Sequence, residues 1–398
     1  MNATTARYCP SCAQRTAERF CPNDGVATLA EGAPLVDSSE LRVGDIIDGR
    51  YRLLGELGSG GFGAVFAAEH TGTQQRLAIK ILRTADARED EVRRFHQEAR
   101  ITAALNHRNT VRVFDVGQTD KGVLYMAMEL LDGETLETLL RGRQAEGLAL
   151  SEAEAIEVGV PVLKSLEEAH GHRLVHRDLK PANIMLVSDG DDVVVKVLDF
   201  GVARTHDSSL TSTTVALGTP AYMSPEQCEG RQLDGRSDLY AMGVILYRCV
   251  TGETPFHHSN PLTLMYQQAN APLPPLQERC AQALSADFIA CVERALAKDP
   301  DERPANARQM RLALKSALTG VPDLRTSTPT VALRGLIRAR ADQHAAASTE
   351  EMLPTETYAA TPSAPGVVVI DDAGSDDETA AQTPSDTHGG PRRGHLRA

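Results

Sequence analysis

The stretch HRDLKPAN, His176 to Asn183, followed by DFG at Asp199 to Gly201, sets two carboxylates and an amide at the spacing that metal-assisted phosphoryl transfer requires. That chemistry needs a carboxylate to receive or orient the proton of an attacking hydroxyl, and oxygen ligands to hold Mg²⁺ or Mn²⁺ against phosphate. Asp178, Asn183 and Asp199 offer those groups.

Upstream, GSGGFGAV at Gly58 to Val65 follows the pattern G-x-G-x-x-G-x-V between two stretches of strand character, Tyr51 to Leu57 and Ala64 to Glu69. Glycines let the backbone approach phosphate oxygens and point N–H groups at them. Taken alone, the motif fits a ligand-free hairpin equally well. Lys80 gives it company, in LAIK on a third strand-like stretch, Leu77 to Leu82. Its neighbours Ala78, Ile79, Ile81 and Leu82 place it half-buried, and a buried ammonium needs a partner. Glu98 is the candidate, on a helix expected from about Asp90 to Leu105, while Glu89 and Glu91 read as solvent-facing neighbours of Arg88, Arg93 and Arg94. Further on, Ser151 and Glu154 make a capping box ahead of a helix that buries Ile156, Val160 and Leu163, with Pro161 kinking it. A strand-rich first part and a helix-rich second part give an α+β protein with two lobes.

These motifs together resemble a eukaryotic-type Ser/Thr protein kinase domain of the kind found in bacteria (Hanks-type), over roughly Tyr51 to Leu318. The resemblance implies a bilobal fold that binds ATP with Mg²⁺ and phosphorylates Ser or Thr of protein substrates. Carried over by position, Asp178 resembles the catalytic base, Asn183 and Asp199 the Mg²⁺ ligands, and Lys80 with Glu98 the nucleotide-anchoring ion pair. Lys180 resembles the lysine that neutralises charge on the γ-phosphate, and Thr219, in GTPAYMSPE, the hydroxyl that steadies Asp178. For the nucleotide, the resemblance implies Leu57, Gly58, Ser59, Gly60, Gly61, Phe62, Gly63, Val65, Ala78 and Met128, with the backbone of Glu129 and Leu131 reading adenine. SPE stands where the family more often has APE. Glu226 with Arg303 resembles the ion pair that braces the activation segment, and Asp238 the anchor of the catalytic loop. Autophosphorylation is expected among Thr211, Ser212, Thr213 and Thr214, with the Arg177 guanidinium pairing with the phosphorylated hydroxyl. Two other classes compete: a pseudokinase scaffold and a zinc-ribbon adaptor.

The 398 residues are 41% hydrophobic and 24% charged, which suits globular protein, and the formal charge of -13 excludes a general nucleic-acid binder. The N-terminus lacks a signal pattern, and the apolar stretch Ala241 to Tyr247 falls short of the roughly 18 residues of a membrane span. A cytoplasmic protein is expected. Of seven cysteines, three fall in the first 21 residues. Cys9-x₂-Cys12 and Cys21-x₂-Asp24 resemble a short zinc ribbon with Asp24 where Cys is usual, binding Zn²⁺ and offering a surface for protein contact. Cys228, Cys249, Cys280 and Cys291 read as small core residues of helices. The expected organisation is a ribbon at 1–30, a linker at 31–49, the kinase unit at 50–318 and a low-complexity tail at 319–398, mostly disordered. Within the tail, Val331 to Ala341 reads as a short helix that is either free or docked on the kinase unit. The tail and the ribbon are the expected sites of regulatory contacts.

Overall fold

The computed structural model describes residues 7–9, 14–18, 21–23, 28–30, 41–60, 63–82, 99–119, 123–190, 192–200, 220–319, 333 and 335. The chain opens with a small antiparallel sheet of β1 (Arg7–Tyr8), β2 (Arg15–Thr16) and β3 (Leu29–Ala30), in the order β2-β1-β3.

A six-stranded antiparallel sheet follows, built from β4 (Ile46–Ile47), β5 (Tyr51–Gly60), β6 (Gly63–His70), β7 (Arg76–Leu82), β8 (Val113–Gln118) and β9 (Leu124–Met128), in the order β4-β5-β6-β7-β9-β8. Alternation along the strands divides its side chains between two faces. Leu53, Phe66, Leu77, Ile79, Ile81 and Tyr125 pack on one. Leu57, Ala78, Val113, Leu124, Met126 and Met128 pack on the other. Pairing of β5 with β6 continues to Gly60 opposite Gly63, so the glycine-rich stretch is a tight hairpin, longer in strand than its composition predicts. Of the helix expected from about Asp90, residues 99–104 lie within the described part and are helical.

The second lobe carries a three-stranded sheet of β10 (Gly133–Thr135), β11 (Ile184–Asp189) and β12 (Asp192–Val197), in that order. Gly133 permits the close pairing there, because a Cβ at this position would sit 2.0 Å from the carbonyl oxygen of Leu186. Around the sheet pack α1 (Leu136–Ala145), α2 (Glu152–Gly171), α3 (Pro225–Cys228), α4 (Gly235–Thr251), α5 (Pro261–Asn270), α6 (Leu276–Arg279), α7 (Ala286–Ala295) and α8 (Ala307–Thr319).

The capping box of α2 forms as its spacing requires: the Ser151 N–H donates to Glu154 Oε2 at 2.7 Å, and the Glu154 N–H to Ser151 Oγ at 3.3 Å. Ile156 and Leu163 are buried, whereas Val160 is half-buried at the margin of the core, and Pro161 lies inside the helix. The centre of the lobe is α4, opened by the Asp234 side chain and closed by Gly252 in the left-handed region at φ +83°. Cys249 and Cys291 are buried in helices, and Cys228 ends α3. Cys280 departs from expectation: it follows the last residue of α6, where the chain has turned extended. Leu333 of the tail is buried in the apolar cluster of this lobe, and its N–H donates to Glu157 Oε2 at 3.0 Å. Among the described residues, no helix is long and apolar enough to cross a membrane.

Candidate active site

Asp178, Asn183 and the segment leading into Asp199 are joined by hydrogen bonds through His176, Asn183 and Leu198. His176 is fully buried and organises the catalytic loop. The Asp178 N–H points at His176 Nδ1 at 3.3 Å, so Nδ1 accepts and Nε2 carries the proton that goes to the Leu198 carbonyl at 2.9 Å. One ring thereby spans both acid-bearing segments. Asn183 closes the loop from the other side, its Nδ2 donating to the Asp178 carbonyl at 2.8 Å while its own carbonyl accepts from Leu198 N–H at 2.9 Å. With Nδ2 engaged, the amide oxygen of Asn183 and the carboxylate of Asp199 are hard oxygen donors of the type Mg²⁺ takes.

Two cations complete the cluster. Lys80 Nζ lies 2.7 Å from Asp199 Oδ2, and Lys180 Nζ lies 3.7 Å from Asp178 Oδ2. Burial pushes the Asp199 carboxyl upward, and the Lys80 ammonium outweighs it, holding the group below the usual carboxylate range. Arg177 and Asp199 both adopt left-handed backbone, at φ +65° and +45°. Such conformations cost about 1–3 kcal/mol each and persist where surrounding bonds over-determine them.

Asp238, at the start of α4, supplies those bonds for the catalytic loop. Its Oδ2 accepts from the His176 N–H at 2.8 Å and meets His170 Nε2 at 2.8 Å, while Oδ1 accepts from the Arg177 N–H at 3.0 Å. Burial raises the Asp238 carboxyl, and the His170 hydrogen bond and charge outweigh it to hold the group below its ordinary range. Beside it, Glu226 and Arg303 form a buried two-pronged pair at 2.7 and 2.8 Å. Ser237 Oγ donates to the same Glu226 carboxylate, and the remaining guanidinium N–H groups go to the carbonyls of Ala297, Arg236 and Lys298. All five guanidinium donors are thus used.

The apolar side of the cleft gathers Leu57, Ala78 and Met128, with Val65 and Leu131 half-buried against them. Ala78 stands opposite Met128 in the β7–β9 pairing. Beyond Met128, the Glu129 N–H donates to the Arg112 carbonyl at 2.9 Å, and Glu129 Oε1 accepts from the Arg112 N–H at 2.7 Å and Lys196 Nζ at 2.6 Å. Gly58, Ser59, Gly60 and Gly63 line the hairpin of β5 and β6.

Several expected positions lie outside the described residues: Gly61, Phe62, Glu98, Thr219, the hydroxyls Thr211 to Thr214, Cys12 and Asp24. Cys9 and Cys21 are both buried, and the Cys9 N–H turns back to the Gln14 carbonyl at 2.8 Å. Among the described residues, no three His, Cys, Asp or Glu side chains are grouped to hold a metal.

Four residues with a part in this geometry escaped the motif reading. Met185 on β11 is buried in the cluster of Leu57, Ala78 and Met128. Lys196 ties the segment after β9 to β12, and His170 joins α2 to Asp238. Gln227 Nε2 donates to the Arg177 carbonyl at 2.7 Å. Only Gln227 has a local signal, the S-x-x-Q capping box begun by Ser224.

A bilobal fold with an acid, amide and lysine cluster between the lobes defines the protein kinase class. The sequence description of the protein kinase domain matches residues 51–314, and the chain belongs to that family. Similar proteins include the serine/threonine-protein kinase pkn3 of Myxococcus xanthus, 39% identical over 282 residues, covering 69% of this chain and 51% of that one. PknB of Mycobacterium tuberculosis is 40% identical over 281 residues, covering 69% of this chain and 44% of that one. The chain spans about half the length of the curated relatives it matches. Among solved structures, the PknI kinase domain of Mycobacterium tuberculosis superposes with a TM-score of 0.56 at 27% identity, covering 70% of this chain and 99% of that one.

Proposed function

We propose that this chain transfers the γ-phosphate of ATP to serine or threonine hydroxyls of proteins, as a signalling kinase of the cytoplasm. The observation that carries the reading is the convergence of Asp178, Asn183, Asp199, Lys80 and Lys180 on one cleft. Asp178 takes or orients the proton of the attacking hydroxyl, held in place by His176 and Asn183. Lys180 offsets negative charge beside it, and Lys80 offers its ammonium to the nucleotide phosphates. Leu57, Val65, Ala78, Met128 and Met185 sandwich the base, and the backbone of Glu129 and Leu131 fixes its edge. Asn183 and Asp199 would hold Mg²⁺ or Mn²⁺, which when bound would neutralise phosphate charge. The scaffold alternatives gain nothing from the site, since Lys80, Asp178, Asn183 and Asp199 are all in place. The test is phosphate transfer from labelled ATP by wild type, Asp178→Asn and Lys80→Met proteins. Each substitution is expected to lower turnover by about 10²- to 10⁴-fold in protein that keeps its fold. Substantial turnover by purified Asp178→Asn protein would remove that residue from its role.

The same proposal includes autophosphorylation among Thr211, Ser212, Thr213 and Thr214, checked by mass spectrometry after incubation with ATP. It also keeps the division into a ribbon at 1–30, a linker, the kinase unit and a tail. Zn²⁺ at Cys9, Cys12, Cys21 and Asp24 belongs to it as well; the support is the burial of Cys9 and Cys21 and the hydrogen bond from the Cys9 N–H to the Gln14 carbonyl.

A further inference from the structure

The N-terminal sheet has no apolar cluster of its own among the described residues; its one buried ring goes elsewhere. Within β1 the two side chains point to opposite faces, as alternation demands. Arg7 turns toward β3, its Nε donating to Thr28 Oγ1 at 2.9 Å and its Nη2 to the Thr28 carbonyl at 2.6 Å. The Thr28 hydroxyl passes its proton on to the Glu18 carbonyl. Hydrogen bonds therefore hold the small sheet together. Tyr8, on the other face, is 5% exposed and packs in the apolar cluster of the six-stranded sheet, alongside residues drawn otherwise from the kinase unit.

The position of that contact matters. β8 is one of the two edge strands of the six-stranded sheet, and β3 lies against it. An edge strand presents unpaired backbone groups and is the part of a sheet most easily loosened. From β8 the connection to the nucleotide side is short. Val113 pairs with Met128, and Arg112, the residue before β8, exchanges hydrogen bonds with Glu129 through both its N–H and its carbonyl. Tyr8 also shares its cluster with Leu57, Ala78 and Met185, and with Ala99, which opens the helical residues 99–104.

We propose that the sheet of β1, β2 and β3 is a docked clamp on the kinase unit, which through Tyr8 and β3 stiffens β8 and the segment after β9 and so sets the affinity of the nucleotide site. The nucleotide half of this inference rests on the reading of the cleft given above; the docking half does not. Loss of the Tyr8 ring frees β8, and ordering it again is then charged against nucleotide binding, a coupling through local stability.

The experiment uses the full chain as wild type, Tyr8→Ala and Tyr8→Phe, with hydrogen exchange and MgADP calorimetry on each. Tyr8→Ala is expected to speed exchange at residues 113–118 and 124–128, leave α4 protected as in wild type, and weaken MgADP binding at least about fivefold. Tyr8→Phe, which keeps the ring, stays near wild type in both. Unchanged exchange at 113–118 in Tyr8→Ala overturns the docking, and faster exchange with unchanged MgADP affinity overturns the coupling. Equal acceleration in α4 means general unfolding and also overturns the proposal. A loss in Tyr8→Phe as large as in Tyr8→Ala overturns the packing account. Wild type that fails to bind MgADP sinks the nucleotide reading itself, while the exchange data still decide the docking.

Discussion

Asp238 shows how one buried carboxylate positions a reacting group it never touches. It accepts the N–H groups of His176 and Arg177 and meets His170, so the residues leading into Asp178 are fixed by α4. Asp238→Asn exchanges an acceptor for a donor facing those groups, which should cost about 1–3 kcal/mol of stability. Because the loop rather than the nucleotide pocket loses its support, kcat should fall while KM for ATP holds. Steady-state kinetics beside a denaturant titration check both, and an equal rise in KM would count against a positioning role. The acid, amide and lysine positions were legible from HRDLKPAN, DFG and LAIK because their spacing is itself the chemistry. His170 and Lys196 were not, since each meets its partner across 68 and 67 residues of chain and nothing adjacent to either marks the contact.

At the level of elements, the strands flanking the glycine turn and the cap of α2 followed from alternation and from S-x-x-E, which are local rules. Docking of elements separated in sequence lies beyond such rules; the link of α3 to the α7–α8 connection through Glu226 and Arg303 was expected from the family resemblance alone, and it forms. That link carries its own pH dependence. Burial pushes Glu226 up, and the hydrogen bonds from Arg303 and Ser237 outweigh it, lowering the group from 4.5 to about 2. The unfolded chain therefore binds the proton more readily than the folded one between these values. The link contributes fully above about pH 4.5 and is lost as pH falls through about 2. Glu226→Gln should flatten the slope of unfolding free energy in that window whatever it does to the absolute stability, and a slope equal to wild type would refute the assignment. For the proposed zinc site, chelation should release the metal and disorder residues 8–25, because metal binding and folding are coupled in so small a unit. Metal analysis of purified protein giving under about a tenth of an equivalent of zinc would dismiss the site.

Across the whole molecule, segments from both ends of the chain are fastened to the kinase unit, on different lobes. Tyr8 enters the cluster of the six-stranded sheet, and Leu333 enters the core of the helical lobe. The tail contact was half legible: VALRGLIRARA has the apolar content of a short helix, but whether it docks depends on a site that α2 builds far away in sequence. The Glu157 carboxylate there accepts the Leu333 N–H at 3.0 Å, so the contact joins one backbone donor to one side chain of α2. Truncating a buried leucine ordinarily costs about 2–5 kcal/mol. A docked segment can detach instead, so the loss in Leu333→Ala should stop at the free energy of docking, about 2 kcal/mol or less. The expected signature is local: faster amide exchange at residue 333 in Leu333→Ala and Glu157→Ala, with α4 unchanged and the global unfolding midpoint moved little. Slow exchange at residue 333 in both variants would show that neither contact holds the segment. Equal acceleration throughout α4 would show that the tail is part of the cooperative core rather than an element fastened to it.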